Sequence, residues 1–306
     1  MSEKKDADKN SAGAPKAATE PEPSKTPMYE AAHAARYQRQ EAIRAIQEST
    51  GRTLICHVTG SRTQIDRDDI LGFVDMLHNV TSNEPLDLLL HTGGGDVDAA
   101  EKLIQVVRQT VGTAELRVIV PDFAKSAGTL MALGAEKILM SDTSELGPID
   151  PQILRDDGSC NVIMHSVQSY LDAYETHAEA LKTDPSNMAS RIMLSKLDPG
   201  TVKLFESIRD RARSFAEKAL RSGMFRSTSG NFTKIASDLI DTKRWPSHGQ
   251  PIFWQDAIDL GLAVEYLTVM SEAWQAYWRL YCLQRLAIKD SQKLYESEYA
   301  SLIMDA

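Results

Sequence analysis

The sequence predicts an α/β fold built on a mainly parallel sheet, and three observations predict it. Short apolar runs alternate with stretches of helical period, the order strand, helix, strand recurs, and a glycine run and a serine turn follow two of the apolar runs. Parallel strands joined by helices take right-handed crossovers, and ligands bind such sheets outside the carboxyl ends of the strands.

Each element follows in order. Residues 1–27 hold no aromatic residue, Val, Ile or Leu, while Ala, Pro, Lys and Glu abound. Such a segment buries too little to offset its ordering entropy and predicts a disordered tail. Over 28–52 good helix formers run without an interrupting proline to the stop at Thr50-Gly51, which predicts an N-terminal helix. The main domain is expected over 53–268. Within it come a strand at 54–58, a helix at 66–80, a strand at 86–90 and a helix at 97–111 whose Val97, Ala100, Leu103, Ile104 and Val107 share one face. A strand at 116–120, a short helix from Ser126 through Leu133 and a strand at 137–140 continue the pattern.

The stretch 164–240 reads as largely helical, broken at Asp184-Pro185, Asp198-Pro199-Gly200 and Ser229-Gly230. Turn formers crowd 245–251 before a last domain helix ending at Leu262. Residues 269–306 read as a long C-terminal helix carrying Trp274, Tyr277, Trp278 and Tyr281 at helical spacing. That stripe is expected to pack on its own domain, and its size also suits a subunit interface.

Composition excludes several classes. Forty-three acidic against 34 basic residues leave a net charge of −9, which argues against general nucleic-acid binding and against a basic membrane patch. Cys56, Cys160 and Cys282 are too few and too scattered for a disulfide framework or a zinc site, so they read as reduced thiols. The opening residues lack an apolar signal region, and no run approaches the roughly 20 apolar residues that span a bilayer. A cytoplasmic protein without a transmembrane segment is expected. No His-Glu-x-x-His spacing and no dinucleotide glycine fingerprint occurs, so neither a metal nor a cofactor is expected. His57 and His91, on or at the ends of strands, read as core groups or supports behind a site rather than metal ligands.

The chemistry centres on Ser126 in Ala124-Lys125-Ser126-Ala127-Gly128-Thr129, about thirty residues after Thr92-Gly93-Gly94-Gly95-Asp96. A serine closely flanked by alanines, with glycine two residues on and a helix following, can occupy a sharp turn at the helix start, where the dipole favours developing negative charge. The bland alternative is an ordinary helix N-cap. The glycine run offers backbone N–H groups that no side chain screens, available to an oxyanion.

These two segments, followed by Ser144-Glu145-Leu146-Gly147-Pro148-Ile149-Asp150-Pro151-Gln152, resemble the serine dehydrogenase proteinase family. This is a branch of the Clp-protease-like and signal-peptide-peptidase-like serine peptidases on the crotonase fold. The resemblance covers about 54–267, and Gly-Pro-Ile-Asp-Pro-Gln is its most specific part. It implies a crotonase-like (ClpP-like) core of repeated ββα/βαβ units with a helical insertion, a peptide or protein substrate, a homo-oligomer, and peptide cleavage through an acyl-enzyme at Ser126. The oxyanion hole it implies is made by the N–H groups of Gly95, Gly94 and Ala127. One departure is Gly93, where relatives carry proline, which makes the loop more flexible.

The base is left open between two side chains. Clp-type relatives carry a histidine a couple of dozen residues after the serine, where this chain has Ile149, Asp150 and Pro151. His248 lies near where those enzymes place the triad acid, so Ser126, His248 and Asp150 can form a triad with exchanged positions. Signal-peptide-peptidase relatives use a lysine, and Lys182 is the nearest match. It would have to be neutral, which requires burial. Lys125 adjoins the serine, but successive side chains at a strand end diverge. Two other classes stand beside the peptidase: a catalytically silent scaffold, and an acyl-CoA enzyme that uses the same hole for an enolate.

Overall fold

A proline opens the first of the described helices. In the computed structural model, which describes residues 25–156 and 162–305, α1 (Pro27–Ala32) begins with Pro27 in its first turn and Thr26 accepting the N–H of Tyr29. The backbone leaves helical angles at His33 (φ −116°, ψ 20°) and α2 (Ala34–Thr50) follows, so the single helix expected over 28–52 is two. Among the described residues, 25–34 form a separate unit. Gly51 ends α2 with φ 65°, a left-handed stop that glycine adopts without strain. Of the tail expected over 1–27, positions 1–24 lie outside the described residues.

The alternation read from the sequence follows: β1 (Thr53–Thr59), α3 (Asp69–Leu77), β2 (Leu86–His91), α4 (Val97–Val111), β3 (Leu116–Ile119), the short β4 (Phe123–Ala124), α5 (Ala127–Ala132) and β5 (Lys137–Met140). Next come β6 (Glu145–Leu146) and the hairpin strands β7 (Gln152–Asp156) and β8 (Val162–Ser166). Helices α6 (Val167–Thr183), α7 (Met188–Ser195), α8 (Pro199–Ser222) and α9 (Phe232–Ile240) fill most of 164–240, although Met164 itself belongs to β8. The chain continues through α10 (Trp254–Asp259), β9 (Val264–Tyr266), α11 (Glu272–Ala287), β10 (Gln292–Glu296) and β11 (Ser301–Asp305).

The main sheet has the order β11-β10-β1-β2-β3-β5-β9, parallel from β1 to β9 and antiparallel where β10 joins β1 and β11 joins β10. Its register aligns Ile55, Leu88, Val118, Ile138 and Val264 in one row, and Cys56, Leu89, Ile119 and Leu139 in the next. Burial on both faces explains the unbroken apolar runs of these strands. The first row packs with Phe73, Leu103, Leu130, Phe215 and Leu239 from α3, α4, α5, α8 and α9. The second packs with Ile43 and Ile46 of α2 and with Trp274, Tyr277 and Tyr281 of α11. Those three rings are at most 5% exposed, so most of the aromatic stripe is committed to the protein's own sheet.

The C-terminal end departs from expectation. The helix anticipated from Glu272 to Ile303 stops at Ala287, and 292–305 form an antiparallel hairpin. Pairing with β1, which otherwise exposes an unpaired edge, overrides the local pattern. Leu294 and Tyr295, adjacent in sequence, bury on opposite faces of the sheet, which only a strand allows. Lys293 Nζ lies 2.6 Å from carboxylates of Asp66 and Asp69, and Glu296 pairs with Arg39 at 2.9 Å, so buried ion pairs tie the hairpin to its neighbours.

Cys56 and Cys282 are free thiols; Cys160 lies outside the described residues. Among the described residues no helix is long and apolar enough to cross a membrane.

Two predictions follow from this packing. Leu294→Ala is expected to cost about 2–5 kcal/mol in urea denaturation, whereas a solvated position on a C-terminal helix would cost under about 0.5 kcal/mol. His57 and His91 are buried, and burial lowers them from 6.5 to about 4 and about 3. Folded, both rings stay neutral while the unfolded chain takes up protons, so stability falls as pH falls from about 6.5 toward 4. The urea midpoint should drop between about pH 7 and pH 5, and less steeply in His57→Phe.

Candidate active site

Where β4 turns into α5, Ser126 adopts φ 50° and ψ −114°, a conformation that costs a non-glycine residue about 1–3 kcal/mol. It holds the N-cap position of α5, yet its side chain makes no capping bond and no other hydrogen bond among the described residues. The hydroxyl is therefore free of the ordinary role that a serine has at a helix start.

The glycine run lies against this turn. Thr92 and Lys125 are joined by a bond from Lys125 N–H to Thr92 O at 3.0 Å, and Thr92 N–H donates to Phe123 O at 3.0 Å. Gly94 (φ 101°) packs so closely that a Cβ there would sit 2.9 Å from Ser126 Cβ and 3.2 Å from Ala127 N. Gly95 (φ 148°) lies against Ile65, whose carbonyl oxygen a Cβ would meet at 2.3 Å. Glycine is required at both positions by conformation and by space.

Of the three expected oxyanion donors, two are unoccupied. Gly94 N–H donates to Thr92 Oγ1 at 3.2 Å. The N–H groups of Gly95 and Ala127 make no hydrogen bond among the described residues.

Asp150 and His248 are brought together from far apart in the chain. Leu146 and Ile252 exchange N–H to carbonyl bonds at 2.9 and 3.0 Å as an antiparallel bridge. Four residues beyond Leu146 and four before Ile252, Asp150 and His248 come opposite one another, with His248 Nδ1 donating to Asp150 Oδ1 at 2.7 Å. The other oxygen, Oδ2, accepts Gln152 Nε2 at 2.9 Å and Ser166 Oγ at 3.1 Å. Asp150 is 2% exposed, and the His248 side chain retains 28% exposure.

The same segment is stitched to the serine turn. Thr129 Oγ1, on α5, lies 2.7 Å from Ala124 O and accepts Gly147 N–H at 3.0 Å. Lys125 Nζ donates to Leu146 O at 3.1 Å and pairs with Glu145 at 3.1 Å. Burial lowers the Lys125 ammonium, and Glu145 pulls the other way. Beside Gly95 and Asp150, a cavity of about 290 Å³ is lined by Asp96, Val97, Pro151, Ile208, Arg211 and Ala212.

Lys182 is placed differently from the reading that made it a base. It projects into solvent from the last turn of α6 and pairs with Glu179 at 3.0 Å, which raises its pKa. A neutral lysine needs burial, and this one has none. Sequence reasoning missed the two donors on Asp150: Gln152 stood inside the quoted motif without a role, and Ser166 carried no signal. Among the described residues no cluster of His, Cys, Asp and Glu is arranged to hold a metal ion.

Comparison with known proteins adds the family. Residues 31–181 match the ClpP-like SDH-type serine proteinases, a span that includes the glycine run, Ser126 and Asp150 and ends before Lys182 and His248. One uncharacterized protein of Methanocaldococcus jannaschii is 30% identical over 183 residues, covering 60% of this chain and 54% of that protein. A second is 35% identical over 88 residues, covering 29% of this chain and 28% of its own. The chain thus spans about half the length of the first curated relative. Among solved structures, a mutant of the 1510-N membrane-bound stomatin-specific protease aligns at 15% identity with a TM-score of 0.43, over 72% of this chain and 81% of that one. ClpP1 from Listeria monocytogenes aligns at 13% identity with a TM-score of 0.38, over 73% and 95%. With its motifs inside the matched span, the 31–181 segment belongs to the family of ClpP-like SDH-type serine proteinases.

Proposed function

We propose that the protein is a serine peptidase of crotonase-type fold that cleaves peptide bonds through an acyl-enzyme at Ser126. The observation that carries this reading is the turn itself: a serine at φ 50° that does not cap the helix it begins, beside two N–H groups that make no bond among the described residues. That is the arrangement in which an attacking oxygen and the oxyanion it creates are served by adjacent backbone.

The remaining roles follow from hydrogen-bond chemistry. A carboxylate only accepts, so Asp150 holds the His248 tautomer protonated on Nδ1 and leaves the Nε2 lone pair free. As Ser126 Oγ bonds to the peptide carbonyl carbon, His248 Nε2 takes the hydroxyl proton, and the carbonyl oxygen becomes an oxyanion between Gly95 and Ala127 N–H. The tetrahedral adduct then collapses, and His248 gives the proton to the departing amine. Water, deprotonated by the same imidazole, releases the acyl group and restores Ser126. The ring must reach the hydroxyl within about 3 Å in the reacting complex. The cavity lined by Asp96, Val97 and Pro151 offers room for a substrate side chain.

A silent scaffold is the second reading, favoured because among the described residues His248 is hydrogen-bonded to Asp150 and not to Ser126. Hydrolysis of fluorescein-labelled casein separates the two. Turnover by the wild type is expected, with losses of at least about a thousandfold in Ser126→Ala and in His248→Ala and no change in Lys182→Ala. Undiminished cleavage by Ser126→Ala defeats the peptidase reading, and no turnover by any form favours the scaffold. Gly95→Ala is expected to lower kcat about a hundredfold or more, because the new Cβ drives the loop off Ile65 and withdraws an oxyanion donor.

A further inference from the structure

We infer that Gln152 and Ser166 are positioning residues for the Asp150–His248 pair, an inference that rests on the peptidase reading above. The two oxygens of Asp150 are used differently. Among the described residues Oδ1 receives only His248 Nδ1, at 2.7 Å, whereas Oδ2 receives both Gln152 Nε2 at 2.9 Å and Ser166 Oγ at 3.1 Å. A carboxylate rotates easily about its last torsion and presents either oxygen over a range of angles. Two donors converging on Oδ2 stop that rotation, so Oδ1 faces the imidazole at one angle, and the ring in turn aims Nε2 in one direction. Supports of this kind orient a histidine as strongly as the group that touches it. They also supply the charge-assisted bonds that a carboxylate only 2% exposed requires.

The donors reach one oxygen because of where the hairpin closes. Gln152 and Ser166 are direct register partners at the base of β7 and β8. Next to them, Val167 N–H donates to Pro151 O at 2.9 Å and holds the chain on either side of Asp150. The base of the hairpin therefore holds the carboxylate by the oxygen that His248 does not use.

Ser166 has a second job that makes the inference testable. As the N-cap of α6 its Oγ accepts the N–H of Ser169 at 3.2 Å while its proton goes to Asp150. Asparagine at this position can cap through its oxygen and still donate through its amide. Aspartate caps equally well but has no proton to give, and it sets a second negative charge against Asp150. A residue needed only for the helix start would not distinguish these two replacements.

The experiment measures the rate at which a fluorophosphonate probe labels Ser126 in the full chain, with thermal midpoints alongside. Ser166→Asn is expected to stay within about threefold of wild type, and Ser166→Asp to label about a hundredfold more slowly at a similar midpoint. Gln152→Ala, which leaves α6 untouched, should slow labelling roughly tenfold and decides the matter if Ser166→Asp does not fold. Wild-type labelling rates in both Ser166→Asp and Gln152→Ala, while His248→Ala abolishes labelling, overturn the positioning role and leave the peptidase reading standing. An equal loss in Ser166→Asn and Ser166→Asp also overturns it. Labelling that survives Ser126→Ala removes the peptidase reading itself.

Discussion

The backbone turn at Ser126 is the constraint on which the rest of the site depends. The conformation is unfavourable for any side-chain-bearing residue, by about 1–3 kcal/mol, so its surroundings must enforce it. They do so from three directions. Gly128 N–H donates to Lys125 O at 2.7 Å across the turn, Thr92 bonds the strand before it on both N–H and carbonyl, and every residue of α5 is buried behind it. With the chain held this way, Ala127 N–H has no acceptor among the described residues and the serine hydroxyl does not cap the helix it begins. The positive φ at Gly94 and Gly95 belongs to the same constraint, because only a backbone without Cβ fits between this turn and Ile65.

A second, weaker link holds the Asp150–His248 pair. The single bridge between Leu146 and Ile252 is anchored to the serine turn by Lys125 Nζ on Leu146 O and by Thr129 Oγ1 on Gly147 N–H. From that bridge the antiparallel direction of the two segments sets Asp150 opposite His248. Lys125, adjacent to the nucleophile candidate, thus serves as a strut: its ammonium is engaged by Glu145 and a carbonyl. The division of labour is physical, since a paired cation already committed to two acceptors has no lone pair to offer as a base.

What could be read in the sequence divides along the range of the interactions involved. The parallel strands were legible because burial on both faces writes unbroken apolar runs such as Leu86–His91, and the serine turn because glycine and alanine mark close backbone approach. The meeting of Asp150 and His248 was legible only as a possibility, because residues 98 positions apart come together through one bridge that no local pattern announces. The C-terminal hairpin was misread as helix because the demand for a partner on β1 lies elsewhere in the chain. Which glycine N–H stays free depended on the Thr92 side chain, and the clamp from Gln152 and Ser166 on the closure of a hairpin. Lys182 is unsuited to act as a base for a reason invisible in sequence, its exposure on α6 beside Glu179.

The most direct measurement is a crystal structure of the protein with a peptide boronic acid, whose boron forms a tetrahedral adduct with an attacking oxygen. The expected result is a bond from boron to Ser126 Oγ, a boronate oxygen within about 3 Å of both Gly95 and Ala127 N–H, and His248 Nε2 turned to the adduct. Boron bonded to any other side chain, or bonded to Ser126 with its oxygen directed away from those two N–H groups, would contradict it.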